Sequence, residues 1–153
     1  MSMKLSASGL KFLKREEGVV YKVYKDQVGL LTGGVGHLIS KDEARALGLK
    51  LGDVLSSEQA DKWLASDVSR FEDAVGSAPA QFRFDALVSF AFNVGGGAYT
   101  ESVKPFALSG RWEEAAKKMS LYNKGTVAGV KQTLPVLVAR RQRETRLLLS
   151  GLY

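Results

Sequence analysis

The segment EGVVYKVYKDQVGLLTGGVGH, residues 17–37, decides the fold that is predicted for this 153-residue chain. The residues before it are typical of a helix that starts near Ser6 or Ser8, and Gly18 is placed to end that helix. From Val19 the pattern changes to β-branched and aromatic residues interrupted by glycine, which predicts two or three short antiparallel strands. A helix followed by such a hairpin can bring polar side chains from all of these elements to one concave edge.

The rest of the chain is predicted to be helical. A capping box at residues 40–43 opens a short helix, and apolar residues at helical spacing predict a long amphipathic helix near residues 57–76. Three further helices are predicted, over residues 82–92, 111–119 and 135–149. The first of these is apolar on nearly every side and should be the buried centre of a helical lobe, ended by the glycine triplet at 95–97. A glycine-rich connection surrounds Gly125 and Gly129.

The length favours one domain, because 153 residues are too few for a string of modules. We therefore expect a single domain of the α+β class, mainly α-helical, with a small antiparallel sheet near the N-terminus. Its predicted parts are an N-terminal lobe of about residues 1–57, a connecting helix of about 57–76 and a C-terminal lobe of about 77–153. The active cleft is expected between the lobes.

Composition excludes several kinds of chemistry. The chain has no cysteine, so disulfides, a thiolate nucleophile and cysteine-ligated zinc are impossible, and the single histidine, His37, excludes a multi-histidine metal site. No stretch has the apolar length of a signal peptide core or a membrane span, so stable membrane insertion is not expected. The sequence thus predicts a protein that stays in the cytoplasm unless something else releases it.

Positive charge is concentrated at the two ends of the chain. The formal net charge is +6, and residues 101–153 alone carry ten cations and four anions. Eight of those cations form a basic C-terminal set: Lys117, Lys118, Lys124, Lys131, Arg140, Arg141, Arg143 and Arg146. This set has three interpretations, which are a solvated face, attraction to an anionic cell-wall polymer, and nucleic-acid binding. Nucleic acid is the least favoured because no recognition-helix pattern accompanies the charge.

Two carboxylates and a hydroxyl occur at suggestive spacing in the deciding segment. Glu17 lies at a helix end, Asp26 in the following turn and Thr32 on the returning strand. Glycoside hydrolysis needs one carboxyl group that is protonated and a second that is ionised. The apolar stretch beside Glu17 would favour its protonated form, whereas a turn would leave Asp26 ionised. The spacing alone leaves a structural role open, because Glu at helix ends and Asp in turns are common.

A family resemblance favours the catalytic interpretation. The run E-G-x5-Y-x-D-x2-G-x2-T-x-G-x-G-H, from Glu17 to His37, resembles the signature of phage lysozymes (endolysins) of glycoside hydrolase family 24, the T-even phage lysozyme type. The likeness continues at residues 90–95, 111–116 and 140–144, so it covers nearly the whole chain. It implies a lysozyme-like fold and a muramidase that needs no cofactor and no metal. The expected reaction cuts the β-1,4 bond between N-acetylmuramic acid and N-acetylglucosamine in bacterial peptidoglycan.

The resemblance also implies roles for individual residues. Glu17 would be the general acid, Asp26 the carboxylate that activates water, and Thr32 a hydroxyl that orients this water, in an inverting reaction. Glu16 is a rival acid, but only Glu17 keeps the family spacing. Retention of Asp26 favours hydrolysis over a lytic transglycosylase, which needs only the acid. Gly33 departs from the family pattern, which has a bulky aliphatic residue there, and glycine is expected to weaken the strand next to Thr32.

Four residues match positions that line the saccharide cleft in the family, namely Leu38, Phe92, Ser102 and Lys118. The first two could equally belong to the core. His37 is expected to be structural, holding the hairpin by hydrogen bonds rather than taking part in the chemistry.

The resemblance finally implies a monomer that lyses a host bacterium from within. It would wait in the host cytoplasm until a holin-type pore opens the membrane, and would then act in the periplasm or cell wall. A competing hypothesis is a wall-binding or nucleic-acid-binding module without catalysis.

Overall fold

The computed structural model describes residues 2–153, so Met1, the first residue of the predicted N-terminal lobe, lies outside the described residues. The chain forms two compact units. One unit comprises Lys14–Ser69, and the other comprises Arg70–Tyr153 together with the chain up to Leu13. The first helix, α1 (Ala7–Glu17), contributes residues to both units. The predicted class, α+β and mainly helical, is confirmed.

The Lys14–Ser69 unit is built on a three-stranded antiparallel sheet. The strands β1 (Val20–Lys25), β2 (Leu31–Gly34) and β3 (His37–Leu38) lie in that order, as the segment 17–37 predicted. Two helices follow, α2 (Lys41–Leu47) and α3 (Ser57–Asp67). A small core is formed by four buried apolar side chains: Val23, Ile39, Leu55 and Trp63.

Strand β1 contains a bulge that shortens the path between α1 and the turn after β1. Val20 pairs with Gly34 and Tyr24 with Thr32, so four residue steps on β1 face two on β2. At a regular rise, two steps span about 7 Å, against about 13 Å for four steps of extended strand. The backbone of the bulged residues bonds instead to residues 52–55, through Val23 N to Asp53 O and Leu55 N to Tyr21 O.

The other unit is a helical bundle with one hairpin. Its elements in chain order are α4 (Ser69–Val75), α5 (Gln81–Val94), α6 (Gly96–Ser102), α7 (Lys104–Leu108), α8 (Trp112–Ser120), β4 (Lys124–Val127), β5 (Val130–Thr133) and α9 (Pro135–Ser150). Eight consecutive residues of α5, from Phe84 to Ala91, are buried, so the predicted central helix is confirmed. Helix α9 packs against both α5 and α8.

The structure differs from the sequence-based expectation in several places. The single helix expected near residues 57–76 is two helices, α3 and α4, which separate at the buried Val68. The glycine triplet does not only end α5, because α6 begins at Gly96. The glycine-rich connection after α8 is the β4–β5 hairpin. Finally, the chain up to Leu13, expected in the N-terminal lobe, groups with the helical unit, where Phe12 packs in its core.

Charged side chains are buried inside the helical unit. Glu144 is fully buried and accepts hydrogen bonds from Ser89 Oγ at 2.6 Å and from Arg140 Nε at 3.0 Å. Arg141 is only 1% exposed and lies with Nη1 3.2 Å from Glu144 Oε1. These contacts join α5 to α9, and removing one partner would leave the others desolvated without compensation.

Asp85 on α5 fixes the N-terminal segment in a similar way. It accepts hydrogen bonds from Ser6 and from the Tyr153 hydroxyl, each at 2.5 Å.

In residues 2–153 no helix combines the length and the apolar character that crossing a bilayer would require.

Candidate active site

Glu17 is the last residue of α1, and the chain turns immediately after it. Gly18 has φ +79°, in the left-handed region, and its N–H bonds to Lys14 O at 2.8 Å, so the predicted helix stop is confirmed. The Glu17 side chain is exposed, so burial does not provide the desolvation that the sequence argument assumed.

Asp26 follows β1 directly and organises the β1–β2 turn. Its Oδ1 accepts hydrogen bonds from Val28 N at 3.0 Å and Leu30 N at 2.9 Å. Its own backbone N–H bonds to Leu30 O at 2.9 Å, and Gly29 N–H bonds to Asp26 O at 3.0 Å. Gly29 has φ +85°, which a side chain would disfavour. One carboxylate oxygen is thus fixed by the backbone, while Oδ2 keeps no protein partner within residues 2–153.

Thr32 lies on the central strand and is linked to Asp26 through one residue. The Thr32 hydroxyl donates to Leu30 O at 3.0 Å, whereas Leu30 N–H donates to the Asp26 carboxylate. Thr32 is only 3% exposed, and its Cα pairs with Tyr24 on one side and Leu38 on the other. The turn, the strand and both polar side chains therefore form one hydrogen-bonded unit.

Gly33 has a packing explanation. A Cβ at this position would lie 2.4 Å from Leu55 Cδ1 and 3.5 Å from Trp63 Cζ3, so Leu55 occupies the space that a side chain would need. Leu55 is buried in the same small core. Leu55, from the segment that pairs with the β1 bulge, thus fills the space that an aliphatic side chain at residue 33 would occupy.

His37 is held between two carboxylates. Its Nδ1 lies 2.7 Å from Asp67 Oδ2 and its Nε2 lies 2.7 Å from Glu43 Oε1. The ring stacks on Trp63 at 4.4 Å between centroids, and Trp63 Nε1 donates to Glu43 Oε2 at 3.0 Å. Burial lowers the pKa of His37, but the hydrogen bonds to Glu43 and Asp67 outweigh it, so the pKa is raised above its ordinary value of 6.5.

Glu43 was not recognised from the sequence beyond its place in the capping box. Ser40 Oγ does accept from Glu43 N at 3.1 Å, so the first half of the predicted box forms. The Glu43 carboxylate instead bonds His37 and Trp63, because both reach it from the neighbouring elements. A histidine six residues before an acidic residue is the only signal in the sequence, and it is weak.

Leu38 is 55% exposed and lines an open cavity of about 550 Å³ on the Lys14–Ser69 unit. The cavity is walled by the β1–β2 turn, β3 and α2, with Leu30 and Leu31 on its apolar side and Lys41 and Arg45 at α2. Leu38 is therefore not part of the core, and its side chain is accessible to a ligand.

Phe92 is half-buried and contributes to the core of the helical unit. Its ring meets that of Phe71 edge-on, with centroids 5.2 Å apart. This contact supports the core role that the sequence left open for Phe92.

Ser102 and Lys118 lie together at a second cavity, of about 490 Å³, on the helical unit. Ser102 Oγ and the Tyr122 hydroxyl are 2.6 Å apart, and Lys118 Nζ lies 5.8 Å from the centre of the Phe106 ring. Lys124 and Lys131 from the hairpin also line this cavity. The sequence missed their convergence because the hairpin was not recognised; valines flanking Ala128-Gly129 were the available signal.

No group of three or more His, Asp or Glu side chains within the described residues converges to hold a metal ion. Glu17, Asp26 and Thr32 all belong to the Lys14–Ser69 unit, on a helix end, a turn and a strand that the same short segment connects.

Comparison with known proteins gives one consistent result. A family model described as phage lysozyme matches residues 14–144. The endolysin of Acyrthosiphon pisum secondary endosymbiont phage 1 is 33% identical over 97% of this chain and 100% of its own length. The endolysin of Salmonella phage P22 is 34% identical over 97% of this chain and 99% of its own. The solved endolysin from Escherichia coli O157:H7 phage FAHEc1 superposes with a TM-score of 0.84 at 35% identity, covering 100% of this chain and 98% of that one.

Proposed function

The chain belongs to the phage lysozyme family, and we propose that it is an endolysin muramidase that hydrolyses the β-1,4 bond between N-acetylmuramic acid and N-acetylglucosamine in bacterial peptidoglycan. The observation that carries this proposal is the hydrogen-bonded turn at Asp26. It presents an oriented carboxylate nine residues after a glutamate at a helix end, which is the pair that glycoside hydrolysis requires.

In the proposed reaction, Glu17 donates its proton to the glycosidic oxygen as the bond to the anomeric carbon breaks. Asp26 accepts a proton from a water molecule that attacks this carbon from the opposite face. Because Val28 and Leu30 hold Oδ1, Oδ2 is the oxygen that can take that proton. Each cycle produces one new reducing end and one new hydroxyl. Asp26 then releases its proton to solvent and Glu17 takes one up, so the protons balance without a cofactor.

Thr32 would orient the attacking water. Its hydroxyl hydrogen bonds to Leu30 O, so the oxygen lone pairs remain able to accept a hydrogen bond from water. A water molecule held by Thr32 and Asp26 would be positioned by two groups that share Leu30 as a backbone anchor. Preorganisation of this kind contributes to catalysis because little rearrangement is needed during reaction.

Finer features belong to the same proposal. We place the enzyme in glycoside hydrolase family 24 and expect an inverting reaction; the T-even type is the finer assignment made from the sequence signature. Leu38, Phe92, Ser102 and Lys118 are proposed to contact the substrate. We further propose a monomer that remains in the host cytoplasm until a holin-type pore admits it to the periplasm or cell wall.

The test compares charge-removing variants with matched neighbours. Glu17→Gln and Asp26→Asn should each lower wall clearing and reducing-end release by at least about a hundredfold. Asn keeps an Oδ1 acceptor for Val28 and Leu30, so Asp26→Asn should retain the turn. Glu16→Gln is the control for Glu17, and Asp42→Asn, an exposed acid on α2, is the control for Asp26.

The products decide between the competing activities. Hydrolysis yields fragments with reducing ends, a lytic transglycosylase yields anhydro-muramic ends that are lighter by one water, and a binding module yields neither. Retention of near-parental activity in the folded Glu17→Gln or Asp26→Asn variant would refute the catalytic assignment. The anomeric form of the first product, read by NMR before mutarotation, tests inversion.

A further inference from the structure

The 490 Å³ cavity of the helical unit carries an excess of positive charge that the fold does not use. Lys118, Lys124 and Lys131 all line it, against one carboxylate, that of Glu101. None of the three lysines forms an ion pair with any residue in 2–153, and neither does Glu101. Unpaired like charges around one cavity repel one another, so a bound anion would stabilise the arrangement.

The β4–β5 hairpin is almost wholly exposed and supplies two of these lysines. All of β5 is exposed, and so is β4 apart from Gly125. In the ladder, Lys124 pairs with Thr133 and Thr126 pairs with Lys131, so Lys124 and Lys131 share one face as diagonal neighbours about 7–8 Å apart. Leu134 packs over Gly125, which belongs to the opposite face. The lysine-bearing face is therefore the one that lines the cavity.

The remaining lining groups indicate what else a ligand would carry. Ser102 and Tyr122 offer a pair of hydroxyls 2.6 Å apart, and Phe106 offers an aromatic ring. Hydroxyls and an aromatic face suit the polar and apolar faces of a sugar or polyol. All the cations are lysines, and no arginine is among the lining residues. Lysine binds phosphate as a point charge, without the bidentate geometry that arginine offers to carboxylate and phosphate alike.

We propose that this cavity binds the phosphodiester groups of an anionic sugar-phosphate or polyol-phosphate polymer of the bacterial wall. The inference rests on the proposed function, because that function brings the protein to the wall. It adds an anion site beside Ser102 and Lys118, the residues proposed to contact the glycan. In this site Lys124 and Lys131 hold phosphate, and the Tyr122 hydroxyl contacts the polyol. Bound polymer would retain the enzyme near its substrate between cleavage events.

Binding without turnover tests the proposal independently of catalysis. The probe is a fluorescent poly(glycerol phosphate) oligomer, titrated with the full chain at low salt and followed by anisotropy. The double variant Lys124→Gln/Lys131→Gln should raise its Kd by about tenfold or more, because two of three cations are lost. The matched control Lys117→Gln/Arg146→Gln removes two exposed cations of the same unit that do not line the cavity, and should change Kd less than about twofold.

Two competitors identify the chemistry of the ligand. Poly-glutamate of equal charge should bind at least several-fold more weakly than poly(glycerol phosphate), and so should a DNA oligonucleotide. Tyr122→Phe, which removes one hydroxyl, should weaken poly(glycerol phosphate) while leaving poly-glutamate unchanged. Unfolding curves of each variant confirm that the helical unit is intact.

Four results would overturn the proposal. The first is that the parent chain does not bind poly(glycerol phosphate), and the second is that the hairpin and control variants lose affinity equally. The third and fourth are that poly-glutamate or DNA binds as tightly as poly(glycerol phosphate). The proposed function fails separately, on the products from walls stripped of phosphate polymer. A chain that binds the polymer but releases no reducing ends would refute the muramidase alone.

Discussion

Replacement of His37 by glutamine should destabilise the Lys14–Ser69 unit in a pH-dependent way. The imidazole bridges Glu43 and Asp67 at 2.7 Å each, and its side chain is only 15% exposed. A hydrogen bond to a charged group contributes about 1.5–3 kcal/mol, and because both carboxylates are about one-third exposed we take the lower end for each bond. The protonated ring thus contributes about 3 kcal/mol.

The sign of the pH dependence follows from the raised pKa of His37. The charged form is favoured in the folded state relative to the ordinary value of 6.5, so the contribution is fully present below pH 6.5. It is lost as the pH rises through the raised pKa, because a neutral ring has only one N–H for two carboxylates.

The assay is urea unfolding of the parent chain and of His37→Gln between pH 5 and pH 9. The free energy difference should be about 3 kcal/mol at pH 5.5 and should fall to about half of that at pH 9, when one bond remains. Glu43→Gln should reproduce part of the loss of stability. Asp42→Asn, at the neighbouring exposed acid on α2, should change the free energy of unfolding by less than about 0.5 kcal/mol. A pH-independent difference, or one that grows with pH, would refute the ionised clamp.

Two further predictions concern the interior and the turn. Arg140→Gln should lower the unfolding free energy, measured in urea at pH 7, by about 3 kcal/mol, because the buried Glu144 carboxylate loses one of its partners. The control Arg146→Gln, on the exposed side of α9, should lower it by less than about 0.5 kcal/mol. Equal losses in the two variants would contradict the buried network. Gly29→Ala should lower kcat on purified walls more than it raises KM, because a φ of +85° costs alanine about 1–2 kcal/mol and the turn orients Asp26. Gly48→Ala carries similar strain at φ +65° away from the turn, so the same fall in kcat there would show a general loss of folding.

The order of elements around Glu17, Asp26 and Thr32 could be predicted because it depends on local rules. Gly18 ends a helix because glycine, which has no Cβ, adopts a positive φ without strain. Alternating β-branched residues favour strands. The buried α5 could be predicted for a similar reason, because a helix that is apolar on all sides must lie in a core. The proposed roles of the three residues came from the spacing and the family resemblance, and the variants above are what test them.

Long-range packing could not be predicted in the same way. The β1 bulge is possible because residues 52–55 form hydrogen bonds with its backbone. The Glu43 carboxylate leaves its capping box because His37 and Trp63 bond to it. Leu55 fills the space beside Gly33. The lysines that line the 490 Å³ cavity meet only because the hairpin folds beside the ends of α6 and α8. The sequence by itself determined which segments form helices and strands and which residues carry reactive groups. Tertiary structure alone decided their partners, since hydrogen-bond and packing partners far apart in the chain leave no periodic signal in it.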